Sequence, residues 1–367
     1  MSGSEKPDNG IARLVDAIGE VGGENYSKLA RMVGMPEETV RYKVNRQFPK
    51  QRIAIHLGIN YDKISLSRKI ISVTFPSQFI AKAARALEEV SEELYVTYYA
   101  KTIGSKVITL MLVVPNNGWT EYKDFLVYLK ENGILESYQA EDLVWYKHFP
   151  LMTDLYDFQK GEWNFRWEDL EKLKISPVEI PAANVSITLE EPDKMDLQIL
   201  TELQSNANVS VSKMAESLKV SEDIAYYHFT EHVKKRNMIG QHIVGWVGTG
   251  GSYDKNSVSK VIFSFENVKQ DGLNKVREMF YRFPFSWMEL YTTNSNYYVF
   301  ANIPSTQLNA AMHFIDQHGS GLGKLDIRIC DSYDSAGFPL PTGMFDEKKG
   351  WQLNKARMIK DFQGYFK

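Results

Sequence analysis

The feature that most restricts the fold of this chain is an internal duplication. Lys28 to Lys43 (KLARMVGMPEETVRYK) lies over Lys213 to His228 (KMAESLKVSEDIAYYH) at a constant offset of 185. Lys, Ala, Glu and Tyr coincide, and apolar positions match. RKIISVTF, from Arg68, is echoed by SKVIFSF, Ser259 to Phe265. Phe149, Pro150, Leu151, Thr153 and Asp157 recur as Phe338, Pro339, Leu340, Thr342 and Asp346, offset by 189. Gly161 and Trp163 follow the first copy, and Gly350 and Trp351 the second. Such self-similarity means one structural plan used twice, and 367 residues leave room for it.

The first copy opens with three helices. Ile11, Leu14, Val15 and Ile18 share one face of the first. Tyr26 to Phe48 then describes two short helices around a tight turn, with Leu29, Ala30 and Val33 as the apolar stripe of the leading one. Gly34 can take the positive φ that ends it. Pro36 fits the first position of the next helix, where a missing N–H costs nothing. Val40, Val44 and Phe48 recur at helical spacing and point inward, leaving Glu38, Thr39, Tyr42, Asn45 and Arg46 opposite. This is the layout of a helix-turn-helix whose second helix enters a major groove. Phe48 to Leu57 reads as a wing.

From Arg68 the pattern becomes strand, helix, strand, strand, helix, strand. RKIISVTF is β-branched, Ser77 is placed to cap a helix running to Val90, and Leu94 to Ala100 and Lys106 to Val114 are strands around a turn at Gly104. Trp119 to Glu131 is helical, and Leu143 to Tyr146 lies in a last strand. That order is the ferredoxin-like arrangement. The predicted fold class is therefore α+β, with two winged helix-turn-helix domains alternating with two ferredoxin-like βαββαβ domains. The predicted boundaries are 1–66, 67–148, an acidic connection 149–192, 193–247, 253–335, and a tail 336–367 repeating the 149–171 motif. Trp163, Phe165 and Trp167 are expected to pack on a neighbouring domain, and Pro177, Pro181 and Pro192 to mark the end of the connection.

Charge separates sharply along the chain. The net value is −3. Yet Lys28 to Lys69 holds ten Lys/Arg against three Asp/Glu, a local +7, and Lys130 to Lys194 holds seven against fourteen, a local −7. A basic front segment is the electrostatic footprint of phosphate binding. The longest apolar run, Val107 to Val114, is too short to span a bilayer, so no membrane association is expected. The polar start MSGSEKPDNG carries no signal peptide. A single Cys330 excludes an internal disulfide and a Cys-based zinc site, which fits a cytoplasmic protein.

Both halves resemble the Lrp/AsnC (feast/famine) transcription regulators, as a tandem pair. The match is closest from Asp193 to Trp246, where Asp193 and Asp196 precede ILTELQ and the VS-x-x-x-x-A-x-x-L-x-VS spacing follows. The first copy is more typical in ETVRYKVNRQF and in INYDKISL (Ile59 to Leu66), which resembles archaeal members. The resemblance implies RAM-like regulatory domains, homo-oligomers (dimer or higher), double-stranded DNA as partner, and a small-molecule, amino-acid-like effector, for which no residues can be matched.

On this reading Thr39, Tyr42, Asn45 and Arg46 contact bases, because Arg and Asn offer paired groups suited to guanine and adenine edges. Lys28, Arg41, Lys43, Lys50 and Arg52 contact backbone phosphates. The second copy is weaker. Arg46 becomes Glu231 and Arg41 becomes Tyr226, and Lys194 to Arg236 carries six charges of each sign. Tyr227, Lys234, Lys235 and Arg236 are its candidate contacts.

His228 to His232 spells H-x-x-E-H, which on a helix can hold zinc. It sits inside a helix-turn-helix with no third ligand apparent, so no metal site is expected. Gly248 to Ser252 and Gly319 to Gly323 lack the Lys-Ser/Thr of a phosphate loop and read as connections. No catalytic constellation and no cofactor are expected. The leading expectation is a DNA-binding regulator rather than an enzyme. Siroheme decarboxylases, which have a similar plan, are the alternative, followed by an effector-sensing scaffold.

Overall fold

The computed structural model describes residues 10–23, 25–158, 160–173, 191–246 and 256–367. Pro177, Pro181, the Gly248–Ser252 stretch and most of the polar N-terminus lie outside them. The first half contains α1 (Gly10–Val21), α2 (Tyr26–Val33), α3 (Glu37–Tyr42), β1 (Ile53–Ile59), β2 (Leu66–Thr74), α4 (Ile80–Glu89), β3 (Val96–Thr102), β4 (Val107–Pro115), α5 (Trp119–Glu131) and β5 (Ser137–His148). The second half contains α6 (Lys194–Ser205), α7 (Val211–Leu218), α8 (Glu222–Tyr227), β6 (Ile239–Trp246), β7 (Val258–Glu266), α9 (Gln270–Arg282), β8 (Ser286–Thr292), β9 (Tyr297–Pro304), α10 (Leu308–Gly319), β10 (Lys324–Gly337) and a final α11 (Lys355–Gln363). The structure is α+β.

Local chemistry sets the helical turns, with three adjustments to the sequence reading. Gly34 ends α2 at φ 65°, and its counterpart Lys219 ends α7 at φ 56°, a left-handed position held without glycine. Pro36 precedes α3 as its N-cap residue instead of occupying the first turn. Ser77 does not cap α4, which begins at Ile80 after Phe79 with no side-chain cap. Both α3 and α8 run on into wider π-helical turns, Lys43–Gln47 and His228–Lys234.

The two halves join through sheet edges. Eight strands close a barrel in the order β8-β9-β7-β10-β3-β4-β2-β5. Each half supplies four consecutive members, and the seams are β5 against β8 and β10 against β3. Closure removes the exposed edges that four-stranded sheets would present. The expected wing behaves differently: β1 pairs antiparallel with β6 of the other half, with Ile53 opposite Trp246. Its partner lies almost two hundred residues away, which no local pattern announces.

Alternation divides the strand residues between two faces. Ile71 and Val73 in β2 pack outward under α4 and α5, and Val261, Phe263 and Phe265 in β7 pack outward under α9 and α10. Ile70, Met111, Ile262, Leu290 and Phe300 fill the interior. Tails are exchanged. Residues 163–170 lay Trp163, Phe165, Trp167 and Leu170 on the second half, with Trp167 against Phe283 and Phe314. Met358, Phe362 and Phe366 of the C-terminal segment pack into the first half.

Candidate functional site

At the β5–β8 seam polar side chains stand among the apolar inward-facing ones. Arg68, two residues before Ile70 on the same face of β2, places its guanidinium 3.6 Å from the ring centre of Tyr146 and 4.4 Å from that of Tyr61. These cation–π contacts hold the charge without supplying an acceptor. Its Nε and Nη1 are buried with no hydrogen-bond partner. A donor left this way carries its full desolvation penalty, so the position suits an incoming anion.

His148 stands beside it, opposite Met288 across the seam. Its ring lies 5.9 Å from that of Trp287 and 6.3 Å from that of Tyr146. Burial, with the positive charge of Arg68, pushes the imidazole down to about 3, so His148 is neutral near neutral pH. Gln241 of β6 clamps the backbone here, accepting from the His148 N–H at 3.1 Å and donating to its carbonyl at 3.2 Å. Tyr146 donates to the Ile59 carbonyl at 2.6 Å. The helix-turn-helix ribbon thereby fixes the barrel seam. Tyr98, Trp287 and Phe300 form an aromatic triangle further inside, with centroids 5.6–6.1 Å apart.

Other inward charges are satisfied. Glu141 accepts from Thr292 (2.6 Å), Asn296 (2.9 Å) and Tyr298 (2.7 Å). Arg328 donates to Asp326, Ser72 and Thr109. At the opposite seam Lys260 donates to Ser335 Oγ at 2.6 Å. Sequence reading passed over Arg68, Tyr146 and His148, because Arg68 lies on β2, far in sequence from the other two on β5, and together they form no motif. The available signal was parity: Arg68, Ile70 and Ser72 alternate with Lys69, Ile71 and Val73, which puts an arginine on a core-facing row.

The first helix-turn-helix presents most of the residues expected of it. Tyr42 is 53% exposed, and Lys28, Arg41, Asn45, Arg46, Lys50 and Arg52 are also exposed, while Thr39 is half-buried. Lys43 is a correction. It is 8% exposed and donates to Gln47 at 3.2 Å, because the π-helical turn rotates it onto the inner side. Asn45 accepts from the Tyr26 hydroxyl at 3.2 Å, and Arg41 pairs with Glu37 at 3.0 Å. Tyr26, Arg41, Asn45 and Arg52 line a cleft of about 900 Å³ whose far wall is Asn206, Asn208, Ser210 and Lys213 of the second half. Part of the supposed reading face therefore looks toward the other motif.

In the second copy, Tyr227 is exposed and edge-on to His228 and His232. Lys234 lies over Phe229, Lys235 pairs with Glu231, and Arg236 approaches Asp196 at 3.9 Å. Its basic cluster is occupied within the motif. Among the described residues, no helix is long and apolar enough to cross a membrane.

No family model matches the sequence, and no curated protein does. Comparison with solved structures is decisive for the fold. A crystal structure of the siroheme decarboxylase NirDL aligns with 98% of this chain and 99% of its own, at TM-score 0.54 and 12% identity. Over its whole length, this chain shares the fold of NirDL. NirDL in co-complex with an iron-uroporphyrin III analogue gives TM-score 0.53 at 12% identity, covering 98% of this chain and 100% of that one. Lrp/AsnC-type regulators also appear among the similar structures over about two fifths of the chain. E. coli AsnC covers 38% of this chain and 94% of its own, at TM-score 0.29 and 16% identity. The expectation that this chain is not an enzyme is overturned here, since the full-length likeness is to an enzyme.

Proposed function

We propose that this protein is an enzyme acting on a carboxylated tetrapyrrole, and that siroheme decarboxylation is its reaction class. The observation that carries the reading is the unpaired guanidinium of Arg68 beside neutral His148, in a chain with the full-length fold of NirDL. Arg68 would accept a substrate carboxylate by charge-assisted hydrogen bonds. Tyr98, Trp287 and Tyr146 offer aromatic surface to a flat macrocycle. Decarboxylation breaks a C–C bond, releases CO₂ and needs a proton at the carbon left behind. Once a substrate carboxylate offsets the charge of Arg68, the imidazole of His148 rises in pKa and can take up and deliver that proton. The division into two winged helix-turn-helix and two ferredoxin-like domains, with the boundaries given above, belongs to this proposal.

Titrating the full chain with siroheme and following the visible spectrum tests the reading. A saturable spectral change is expected, with products lighter by the mass of CO₂ by mass spectrometry. Absence of both would reject it.

A second reading rests on the exposed basic surface of the first motif. Tyr42 and Arg46 on the helix, with Lys28, Lys50 and Arg52 around it, would bind double-stranded DNA, weakly assisted by the second copy. A mobility-shift assay at low salt decides this independently of tetrapyrrole binding. No retarded species at micromolar protein would end it.

A further inference from the structure

We propose that the second helix-turn-helix holds a transition-metal ion, zinc by its chemistry, on Asp193, Asp196, His228 and His232. The two imidazoles are the ends of H-x-x-E-H, one turn apart. The carboxylates come from the start of α6, more than thirty residues earlier. Glu231 plays no part, being paired with Lys235.

The geometry is that of a four-ligand site. His228 Nδ1 and His232 Nδ1 each lie 3.1 Å from Asp196 Oδ1, and 3.5 and 3.7 Å from Asp193 Oδ2. All four atoms fall within 4.8 Å of one another. A tetrahedral ion with zinc–nitrogen and zinc–oxygen bonds near 2.0–2.1 Å has ligand–ligand edges of roughly 3.3–3.5 Å. The observed edges straddle that value.

The carboxylates are also oriented for the task. A capping box uses one oxygen of each: Asp193 Oδ1 accepts from the Asp196 N–H at 2.9 Å, and Asp196 Oδ2 accepts from the Asp193 N–H at 3.2 Å. The remaining oxygen of each faces the imidazoles, and Asp196 Oδ2 also lies 3.3 Å from His232 Nδ1. Asp196 is fully buried and both histidines are mostly so. Arg236 Nη1, 3.9 Å from Asp196 Oδ2, offsets carboxylate charge. Two imidazole nitrogens and two carboxylate oxygens suit zinc and cobalt better than calcium or magnesium, which prefer all-oxygen shells. The ion would clip the first helix of the motif to the segment after its third, so that binding energy becomes folding energy.

The test uses the full chain without a histidine tag, stripped by chelator and titrated with Co²⁺. One equivalent is expected, with the intense visible bands of four-coordinate cobalt, displaced stoichiometrically by Zn²⁺. His232→Gln and Asp193→Asn should each weaken Co²⁺ binding at least ~100-fold, since even residues that only orient ligands cost 10–100-fold. Zn²⁺ should raise the melting temperature of the unsubstituted chain and leave that of His232→Gln unchanged. Failure of the stripped unsubstituted chain to bind Co²⁺ at micromolar concentration overturns the proposal, as does six-coordinate cobalt or binding unaffected by both substitutions. The unsubstituted chain alone is sufficient to refute it, whatever the variants do to folding.

Discussion

The two seams of the barrel are built from equivalent strands and have diverged in charge balance. At one, Arg68 packs among aromatic rings with two buried donors lacking acceptors. At the other, Lys260 occupies the corresponding inward position and is bound to Ser335, while Lys101 nearby pairs with Asp331 and Asp334. A paired cation supports the fold, whereas a buried one without acceptors costs stability. Equivalent strands place a cation at each seam, and only Arg68 has buried donors without acceptors.

The largest expected effect breaks a related contrast between the outer faces. Arg277 and Glu289 form a fully buried pair beneath α9, with Tyr281 and Tyr297 also bonded to the carboxylate. The first half carries apolar packing around Tyr99 on its matching face. Arg277→Ala strands a buried carboxylate and should cost about 3–5 kcal/mol in urea unfolding. A loss below about 1 kcal/mol would show that the charges are more hydrated than their burial implies.

Next comes the contrast between the seams. Arg68→Ala should weaken siroheme binding by about 10–100-fold, the worth of a charge-assisted hydrogen bond. Lys260→Ala should leave it within about two-fold and lower the melting temperature instead, because it removes a satisfied contact. Equal losses of affinity would mean that both seams take part.

His148 sharpens the same contrast through pH. Burial holds its native pKa at about 3, below the ordinary 6.5 of an imidazole. The unfolded chain therefore binds the extra proton first. The contribution is complete above pH 6.5 and drains away as pH falls toward 3. His148→Gln should flatten the acid side of the stability curve over that window. An unchanged slope would place the imidazole in water.

The smallest effects concern the first helix-turn-helix. If it binds DNA, Arg46→Ala should relax sequence preference by about 1–3 kcal/mol at one base pair, and Lys50→Ala should lower the salt slope by about one. Matching losses on specific and random DNA would remove that division of roles.

Local features were legible and remote ones were not. The helix from Trp119 to Glu131 lies where its spacing put it, and each half supplies four strands to the barrel. Strand pairing across the halves left no local trace, so β1 read as a wing and the closure of the barrel stayed hidden. Parity was a subtler loss. Aligning RKIISVTF with SKVIFSF from their first letters matches Lys69 to Lys260, but their neighbours put Arg68 and Lys260 on the inner row, and a one-residue slip exchanges every face of a strand. Lys43 was misplaced because helical-wheel spacing assumes an α-helix, and this turn is wider. Asp193 and Asp196 were read only as markers of resemblance, since proximity to His228 depends on how α6 crosses the motif.

Joining the halves in one chain has a consequence for how the molecule can evolve. In a two-fold dimer of separate subunits every substitution is made twice, and an open-donor site at one seam is copied at the other. Here the pairing of halves is intramolecular, so its strength no longer depends on protein concentration. The tails lock it further, each lying on the opposite half. Symmetry between the halves is therefore not a requirement. One seam, and one helix-turn-helix, could change its chemistry while its twin kept the architecture closed.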